Sequence, residues 1–267
     1  MNFEIIQEQD LEKIRELQPE GWGDIIQDFK FYIQSPVCYP IQTKINDKIV
    51  GVGTSISFVT TSWLAHIIVD NDFRNKGIGS HIVNELMEKL KKDSILSISL
   101  IATELGQPIY EKAGFRAVTD YTFLKREKVW EQNNNCNQIV LFQEKYSPMV
   151  YSLDKKISGE DRKILLQDYL FDSVLYIENN EVLGYYIPSL KEGLIFAETE
   201  VAGIELMKIK YSKIDKAVLP IDNEVGIEFL KQNGFVEINK KGTRMICGEN
   251  INWSPKKIYS RIGGNFG

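Results

Sequence analysis

The sequence has little cysteine, no excess of basic residues and no long apolar run. Its three cysteines among 267 residues, Cys38, Cys136 and Cys247, form no C-x-x-C pair, which argues against a zinc cage or a disulfide framework. Lys and Arg number 32 against 37 Asp and Glu, a net charge of −5. The chain therefore lacks the positive field that gathers phosphate backbones, and we expect no nucleic acid as a partner. Because the cysteines are scattered, we expect no metal ion either.

Targeting signals are also missing. The chain begins M-N-F-E-I-I-Q-E, without a basic segment followed by an apolar run, and no stretch reaches the length needed to span a bilayer. Scattered single cysteines fit a reducing compartment. We predict a cytoplasmic protein with no membrane partner.

What is present is the composition of an ordinary globular protein, 43% hydrophobic and 26% charged. The length suits two domains of about 130 residues each. The polar stretch 131–137 contains three consecutive asparagines and is the best candidate for a linker. We predict domains at 1–130 and 139–267.

Hydrophobic periodicity in the first half predicts the order β-α-α-β-β-β-α-β-α-β. The predicted elements are a strand at 3–6, a helix through Leu11, Ile14 and Leu17, a helix ending before Pro36, a hairpin at 41–45 and 49–59, a strand at 63–69, an amphipathic helix at 78–92, a strand at 95–102, a short helix at 107–112 and a strand at 118–124. This order predicts an α/β (mixed α+β) fold with a central mixed sheet flanked by helices.

An internal near-repeat links the two halves. Residues 101–115 read I-A-T-E-L-G-Q-P-I-Y-E-K-A-G-F, and residues 221–235 read I-D-N-E-V-G-I-E-F-L-K-Q-N-G-F. Ile, Glu, Gly, Gly and Phe recur with a constant offset of 120 residues. Duplication of one fold is the economical interpretation. The alternative is chance matching of a helix C-cap glycine followed by an aromatic residue.

A glycine loop lies between a predicted strand and the strongest predicted helix. Residues 69–80 read V-D-N-D-F-R-N-K-G-I-G-S. Main-chain N–H groups at such a turn are unpaired, the helix dipole adds positive potential, and glycines let the backbone approach an anion. A pyrophosphate fits this description, although two glycines can also simply ease a tight turn. The spacing fails for a Walker A loop, and Ile82 stands where a dinucleotide fingerprint needs a third glycine.

The pattern R-x-x-G-x-G, with Val69 five residues upstream, resembles the acyl-CoA pyrophosphate loop of the GNAT N-acetyltransferases. About thirty residues downstream, Y-E-K-A-G-F at 110–115 resembles the Y-x-x-x-G-F element of the same family. The motifs cover roughly residues 63 to 118. The ending that starts at Trp253 resembles a subgroup of tandem GNAT proteins, which implies two GNAT-like domains with a degenerate C-terminal copy.

The resemblance implies that a substrate amine attacks the thioester of acetyl-CoA directly, without a covalent enzyme intermediate. Tyr110 would protonate the departing thiolate, whereas the alternative is a core aromatic on a short helix. Positioning would be the main catalytic contribution. The residues that the resemblance assigns to acetyl-CoA are Ile67, Val69, Arg74, Asn75, Lys76, Gly77, Ile78, Gly79, Ser80 and Thr103.

This sequence departs from the family pattern in both halves. The family commonly places Asn seven residues and Ala four residues before the tyrosine, where this chain has Thr103 and Gly106. The second half has Asn223 and Gly226 at the equivalent positions but Leu230 in place of the tyrosine, and it has no R-x-x-G-x-G. Leucine cannot donate a proton, so we predict that the second half is catalytically silent.

The acceptor side is less defined. Trp22, Phe29 and Trp63 are candidate substrate contacts, with core packing as the alternative. Strand parity from Val69 places the His66 side chain opposite to Trp63, Ala65 and Ile67 and predicts a structural role for it. His81 is expected at the helix surface or packed against the sheet. No residue is identifiable as the general base.

The leading hypothesis is an acyltransferase that acetylates a primary amine of a small molecule or amino acid. Two alternatives stay open, a protein or peptide N-acetyltransferase and a non-catalytic acyl-CoA-binding module. The acceptor, the acyl-chain preference and the choice between monomer and homodimer are not determined by the sequence.

Overall fold

The computed structural model of the chain describes residues 1–127 and 136–267. These residues divide into two compact units, each assembled from separate segments. Unit 1 consists of Met1–Arg116, Met245–Glu249 and Gly264–Phe266. Unit 2 consists of Ala117–Arg244, Asn250–Gly263 and Gly267. Most of the predicted linker, residues 131–135, lies outside the described residues.

The elements follow one another in mixed α and β order, with short 3₁₀ turns between several of them. In chain order they are β1 (Phe3–Ile5), α1 (Leu11–Ile14), α2 (Ile25–Gln34), β2 (Cys38–Ile45), β3 (Lys48–Phe58), β4 (Thr61–Val69), α3 (Ile78–Lys92), β5 (Ser97–Ala102), α4 (Gln107–Lys112), β6 (Arg116–Lys125), β7 (Ile139–Leu141), α5 (Ser147–Ser158), α6 (Lys163–Leu166), β8 (Val174–Glu178), β9 (Glu181–Ile187), β10 (Leu194–Ala197), α7 (Glu200–Tyr211), β11 (Lys216–Pro220), α8 (Glu224–Gln232), β12 (Val236–Gly248) and β13 (Ile258–Ser260).

The sheet of unit 1 runs β1-β2-β3-β4-β5 and continues with the end of β12 that belongs to this unit. Neighbouring strands from β1 to β4 are antiparallel, and β4 and β5 are parallel. Beyond β5, the Glu249 N–H donates to the Leu96 carbonyl over 2.9 Å. This mixed sheet carries the site described below.

Helix α3 packs closely on β3 because two glycines remove side chains from the contact. A Cβ built at Gly51 would lie 2.8 Å from Ile82 Cδ1, and one at Gly53 would lie 2.6 Å from Ile82 Cγ2. The apolar face predicted for this helix is buried, with Ile82, Val83 and Leu86 at 0% exposure. The close contact fixes the N-terminus of α3 beside the end of β4.

Strand β4 contains a bulge at its centre. The register with β3 shifts between Val52 and Thr54, so that two β4 residues, His66 and Ile67, stand opposite Gly53. His66 takes a φ of 50°, in the left-handed region. Such an extra residue bends the strand and interrupts the regular alternation of its side chains.

Unit 2 is built on a second sheet with the order β13-β10-β9-β8-β7, in which all neighbouring strands are antiparallel. Strands β6 and β11 pair antiparallel in the same unit, from Lys216 opposite Lys125 to Pro220 opposite Tyr121. Helix α7 contributes Ala202, Leu206 and Met207 to the unit's apolar core, all at 0% exposure.

The repeated sequence segments adopt the same local geometry. Gly114 and Gly234 have φ values of 93° and 82° and end α4 and α8. The N–H of the following phenylalanine donates over 3.0 Å in each copy, from Phe115 to Tyr110 and from Phe235 to Leu230. A left-handed glycine at the helix end is the usual way to pair these last carbonyls.

The predicted α/β (mixed α+β) fold is confirmed, and the elements predicted for the first half are present, although every predicted strand differs from the observed one by one to three residues at an end. The first predicted helix is one α-helical turn, Leu11–Ile14, between 3₁₀ turns. Strand β5 begins at Ser97 rather than at residue 95, because Ser94 has a φ of 60° and the chain is still turning there. Within the described residues, no helix is long and apolar enough to cross a membrane.

Candidate acyl-transfer site

The chain turns sharply after β4, and Asp70 holds this turn. Its side chain accepts from the Asp72 N–H over 2.9 Å and forms an ion pair of 2.8 Å with Lys48 Nζ. This pair lowers the pKa of Asp70 and keeps the carboxylate charged. The 3₁₀ turn Asn71–Phe73 follows, and the glycine loop begins after it.

The glycine loop presents a row of unpaired main-chain donors. Within the described residues, the N–H groups of residues 75–80 have no hydrogen-bond partner, and the first helical bond runs from His81 N to Gly77 O over 3.1 Å. Asn75 and Gly77 have φ values of 61° and 80°, which curve the backbone into a concave turn. We call this concave turn the cradle. The Arg74 N–H is not part of it, because it donates to the Asn71 carbonyl.

Basic side chains surround this cradle. Arg74 is exposed and donates through Nε to the Val69 carbonyl over 3.3 Å. Lys76 donates to the Asp72 carbonyl over 3.0 Å and lies 4.7 Å from the centroid of the Phe73 ring. His81 is exposed, as expected, with Nδ1 2.8 Å from the Gly77 carbonyl. Together with the positive end of the α3 dipole, these groups favour an anion.

An opening lies next to the cradle, where β4 and β5 separate. Their parallel pairing covers three residue pairs and ends at Trp63 opposite Ser99. Beyond that pair β4 continues to Val69 and β5 to Ala102 with no further pairing between the two strands in the described part of the chain. Ile67 and Val69 are half-buried and pack on the apolar core that includes α3. The main chain of β4 therefore has an open edge in the stretch that leads to the glycine loop.

Helix α4 brings Tyr110 to the same region. A Cβ at Gly79 would lie 3.4 Å from Ile109 Cδ1 and 3.7 Å from Val69 Cγ2, so this glycine is where α3, α4 and β4 meet. The Tyr110 ring is half-buried and packs edge-to-face on Phe115 at 5.9 Å.

The Tyr110 hydroxyl lies in a partly buried position on α4. It has no hydrogen-bond partner within the described residues, and it is not among their fully enclosed unsatisfied polar atoms. Burial raises the pKa of the phenol above its ordinary value, because the charged phenolate is poorly solvated there. The side chain therefore stays protonated at neutral pH, as a proton donor must.

Thr103 lies at the end of β5, at the position where the family commonly has asparagine. It is exposed, and its Oγ1 accepts from the Gly106 N–H over 3.3 Å. Its carbonyl accepts from Gly106 N and Gln107 N, both over 3.0 Å. The hydroxyl still has a proton to donate, but the local turn already uses its oxygen as an acceptor.

On the other face of β4, His66 joins a group of aromatic and polar residues. Its Nδ1 lies 2.8 Å from the Tyr32 hydroxyl, and its Nε2 lies 3.4 Å from Asp28 Oδ2. His66 lies opposite Ile67, as strand parity predicted, because Ile67 packs in the apolar core that includes α3. The bulge nevertheless breaks the regular alternation, since Leu64 and Ile67, three residues apart, both contribute to that core.

The three candidate substrate residues, Trp22, Phe29 and Trp63, differ in how much of each side chain is exposed to solvent. Trp22 is 43% exposed, and its ring lies 5.8 Å from that of His66. Phe29 is fully buried and packs edge-to-face on His66 and Tyr32. Trp63 is 1% exposed within β4. Of the three, only Trp22 presents a large exposed ring.

Three residues of this group, Asp28, Tyr32 and Asn265, were not identified from the sequence. Asp28 and Tyr32 are four residues apart on α2, so a polar pair on one face of an apolar helix was a usable signal. No local sequence pattern pointed to Asn265, because its partner Tyr32 lies 233 residues earlier in the sequence. Its Nδ2 lies 2.7 Å from the Tyr32 hydroxyl.

Unit 2 has different contacts at the corresponding elements. Helix α7 follows β10, and the Thr199 side chain accepts from the Ala202 N–H over 3.3 Å. Strand β13 pairs with β10 and also contacts β11. The Asn223 amide donates to the Ile258 carbonyl over 2.9 Å, and Leu230 is completely buried. Within the residues that the structure describes in either unit, no three His, Cys, Asp or Glu side chains are placed to hold a metal ion.

Comparison with known proteins agrees with this geometry. Residues 11–127 match the family described as the acetyltransferase (GNAT) domain. This part of the chain is a GNAT acetyltransferase domain. The prediction that the protein is an enzyme of the acyltransferase class is thereby confirmed.

Relatives extend over more of the chain. The uncharacterized N-acetyltransferase YitH of Bacillus subtilis (strain 168) is 26% identical over 203 residues, 70% of this chain and 69% of YitH. A putative acetyltransferase from Pyrococcus horikoshii superposes with a TM-score of 0.82 at 17% identity, covering 100% of this chain and 95% of its own. A GCN5-related N-acetyltransferase from Sphaerobacter thermophilus gives a TM-score of 0.66 at 11% identity, covering 95% and 98%. These two structures share the fold of this chain across both units.

Proposed function

We propose that this protein transfers the acetyl group of acetyl-CoA to a primary amine of a small molecule or amino acid. The observation that carries the proposal is the row of unpaired N–H groups at residues 75–80, next to the opening between β4 and β5. A diphosphate suits such a row, because each N–H is oriented by the backbone and the α3 dipole adds positive potential.

Each part of acetyl-CoA has residues of this chain that suit it. The glycine loop takes the diphosphate, with Arg74 and Lys76 beside it. The open edge of β4 between Ile67 and Val69 offers main-chain groups to the amide-containing arm of coenzyme A, once Arg74 turns from the Val69 carbonyl to the diphosphate. Tyr110, on α4, serves as the proton donor.

The reaction then needs positioning and proton transfer rather than a covalent enzyme intermediate. The acceptor ammonium loses a proton to solvent, and its nitrogen attacks the thioester carbonyl carbon. The C–N bond forms and the C–S bond breaks. Tyr110 gives its proton to the departing sulfur, and the proton released from the new amide nitrogen restores the phenol.

We also propose that the second half is a degenerate GNAT-like copy without acyl-transfer activity. Strand β13 pairs with β10 and accepts a hydrogen bond from Asn223, so the chain itself occupies groups that an acyl-CoA arm would use. Thr199 caps α7, and Glu200 places a negative charge in its first turn. Leu230 offers no proton.

A thiol-release assay with acetyl-CoA and a panel of amines, amino acids and peptides tests the main proposal. Release with free amines or amino acids supports it, and release only with peptides indicates a protein N-acetyltransferase. Tight binding of acetyl-CoA with no release from any acceptor would indicate an acyl-CoA-binding module. We also propose that the protein is cytoplasmic and that it acts as a monomer or a homodimer.

A further inference from the structure

Four polar side chains of unit 1 form a continuous hydrogen-bonded group beside the β4 bulge. Asn265 Nδ2 lies 2.7 Å from the Tyr32 hydroxyl and 3.4 Å from Asp28 Oδ1. The same hydroxyl lies 2.8 Å from His66 Nδ1, and His66 Nε2 lies 3.4 Å from Asp28 Oδ2. We call Asp28, Tyr32, His66 and Asn265 the bulge network.

The direction of the hydrogen bonds follows from the donors available. The Asn265 amide donates to the Tyr32 oxygen, so the Tyr32 O–H is left to donate to His66 Nδ1. The neutral imidazole then carries its proton on Nε2, which faces the Asp28 carboxylate. Burial raises the pKa of Tyr32, with Asp28 adding to the effect, so the phenol keeps the proton that this arrangement requires. The chain of hydrogen bonds that starts at the Asn265 amide therefore passes through Tyr32 and His66 and ends at the Asp28 carboxylate.

Burial is graded in the same direction. Tyr32 is 0% exposed and Asn265 is 6% exposed, whereas the Asp28 side chain is 21% exposed to solvent. Desolvated polar groups are costly unless they are paired, and a pair of buried donors under a partly exposed carboxylate holds that carboxylate in one orientation. The accessible end of the bulge network is thus an anion with fixed geometry.

The surroundings add an apolar wall and negative charge. The exposed Trp22 ring lies against His66 at 5.8 Å. Residues 12–30 contain five acidic residues, Glu12, Glu16, Glu20, Asp24 and Asp28, against three basic ones, Lys13, Arg15 and Lys30, and Arg15 lies 3.8 Å from Asp24. Such a segment attracts cations and repels carboxylates over the range of a Debye length.

The bulge network is also in the right part of the fold. His66 lies on β4 three residues beyond Trp63, where the pairing with β5 ends and the strand edge opens. A molecule held at Asp28 would therefore lie beside the strand that we assign to the thioester.

We propose that Asp28 binds the ammonium group of the acceptor, and that the preferred acceptor is a cationic primary amine with an apolar or aromatic body and no neighbouring carboxylate. His66, Tyr32 and Asn265 are positioning residues for Asp28, and Trp22 contacts the apolar body. This inference rests on the proposed acetyl transfer and narrows its substrate class from amines and amino acids to amines alone.

The test uses a matched pair of acceptors, phenethylamine and phenylalanine, which differ by one carboxylate next to the amine. With the wild-type protein and saturating acetyl-CoA, kcat/KM for phenethylamine should exceed that for phenylalanine by at least about tenfold. Asp28→Asn keeps the size of the side chain and removes its charge. It should raise KM for phenethylamine by roughly 10- to 100-fold, the effect of one charged hydrogen bond, and leave KM for acetyl-CoA within about twofold.

Two further variants separate binding at Asp28 from a general charge effect or a folding defect. Glu20→Gln removes the same charge from an exposed position of the same segment and should change KM for phenethylamine by less than about threefold. Tyr32→Phe keeps the ring but removes the hydroxyl that orients His66. It should raise the amine KM by less than Asp28→Asn does, with kcat and the acetyl-CoA KM unchanged.

Measuring amine binding at equilibrium tests the proposed amine site without relying on turnover. Binding of phenethylamine to the CoA-saturated protein, followed by tryptophan fluorescence, should be lost in Asp28→Asn and retained in Glu20→Gln. If no acceptor supports thiol release but this binding depends on Asp28, the proposed acetyl transfer fails and the amine site stands. An unchanged KM and Kd in Asp28→Asn, or a wild-type preference for phenylalanine, overturns the inference.

Discussion

The side-chain amide of Asn223 donates to the main-chain carbonyl of Ile258 over 2.9 Å. The N-cap residue of α8 is therefore hydrogen-bonded to the first residue of β13. The same side chain caps α8 by accepting from the Gly226 N–H over 2.9 Å. In the GNAT pattern an asparagine at this position is available to the acyl-CoA arm. Here it is occupied by the protein's own backbone.

We therefore expect one acetyl-CoA per chain. Isothermal titration calorimetry should give a stoichiometry near one, and Asn223→Ala should leave the acetyl-CoA affinity within about twofold. The variant should instead lower the free energy of unfolding by about 1–2 kcal/mol, because it removes the cap and the bond to Ile258. Two binding events of similar affinity would contradict the assignment of the donor site to unit 1 alone.

Gly77 offers a sharp test of the glycine loop. A Cβ there meets nothing closer than His81 at 3.6 Å, so Gly77→Ala adds only the strain of a residue at φ 80°. That strain is about 1–2 kcal/mol and would shift the loop away from its left-handed conformation. We expect acetyl-CoA binding to weaken by at least about tenfold, the effect of losing one hydrogen bond to a charged group.

Gly234→Ala is the matched control for this prediction. Gly234 has a φ of 82°, and its nearest neighbour would be Arg126 Cδ at 3.7 Å, so strain and space are almost the same. Both variants should lose similar stability in thermal melts. Only Gly77→Ala should lose affinity for acetyl-CoA, and equal affinity in the two variants would remove the loop from the donor site.

Tyr110→Phe should lower kcat by roughly 10²- to 10⁴-fold, the usual contribution of a general acid. The KM for acetyl-CoA should change by less than about twofold, because the phenyl ring keeps its packing against Phe115. Steady-state kinetics with the best acceptor measures both. The loss should shrink when the donor is the acetyl thioester of an acidic aryl thiol, whose thiolate departs without a proton. A loss of the same size with both donors would point to a packing role.

The sequence indicated those parts of the candidate site that depend on short stretches of chain. The glycine loop and Tyr110 each lie in a motif of a few residues, and the left-handed Gly77 follows from the turn chemistry of that motif. The repeated segments 101–115 and 221–235 share a glycine before phenylalanine, and in both copies that glycine is left-handed and ends a helix, α4 or α8.

The acceptor side depends on long-range contacts and on one irregular residue. His66 takes a left-handed φ inside a strand, and parity cannot anticipate such a bulge. Tyr32 meets Asn265 only because Gly264–Phe266 belongs to unit 1, a fact that no local pattern records. The role of Asp28 follows from these two contacts, which explains why no general base or amine anchor could be chosen beforehand.

Lys210 gives unit 2 a predictable dependence on pH. Its ammonium group donates to the carbonyls of Glu192 and Gly193 and to the Ser260 hydroxyl, while it is 3% exposed. Burial lowers the pKa of Lys210 to about 7, with the Arg261 charge acting in the same direction and Glu192 opposing it.

Because an unfolded lysine has a pKa of about 10.4, the unfolded chain binds more protons than the folded one above pH 7. The free energy of unfolding should therefore rise with pH from about 7 to 9, by up to about 1.4 kcal/mol per pH unit, and the penalty should be constant below pH 7. Urea unfolding across this range should show the rise in the wild type and in Lys208→Met, whose lysine lies on the same helix and pairs with Glu205. In Lys210→Met the slope should be absent, and a slope that persists there would assign the titration to another group.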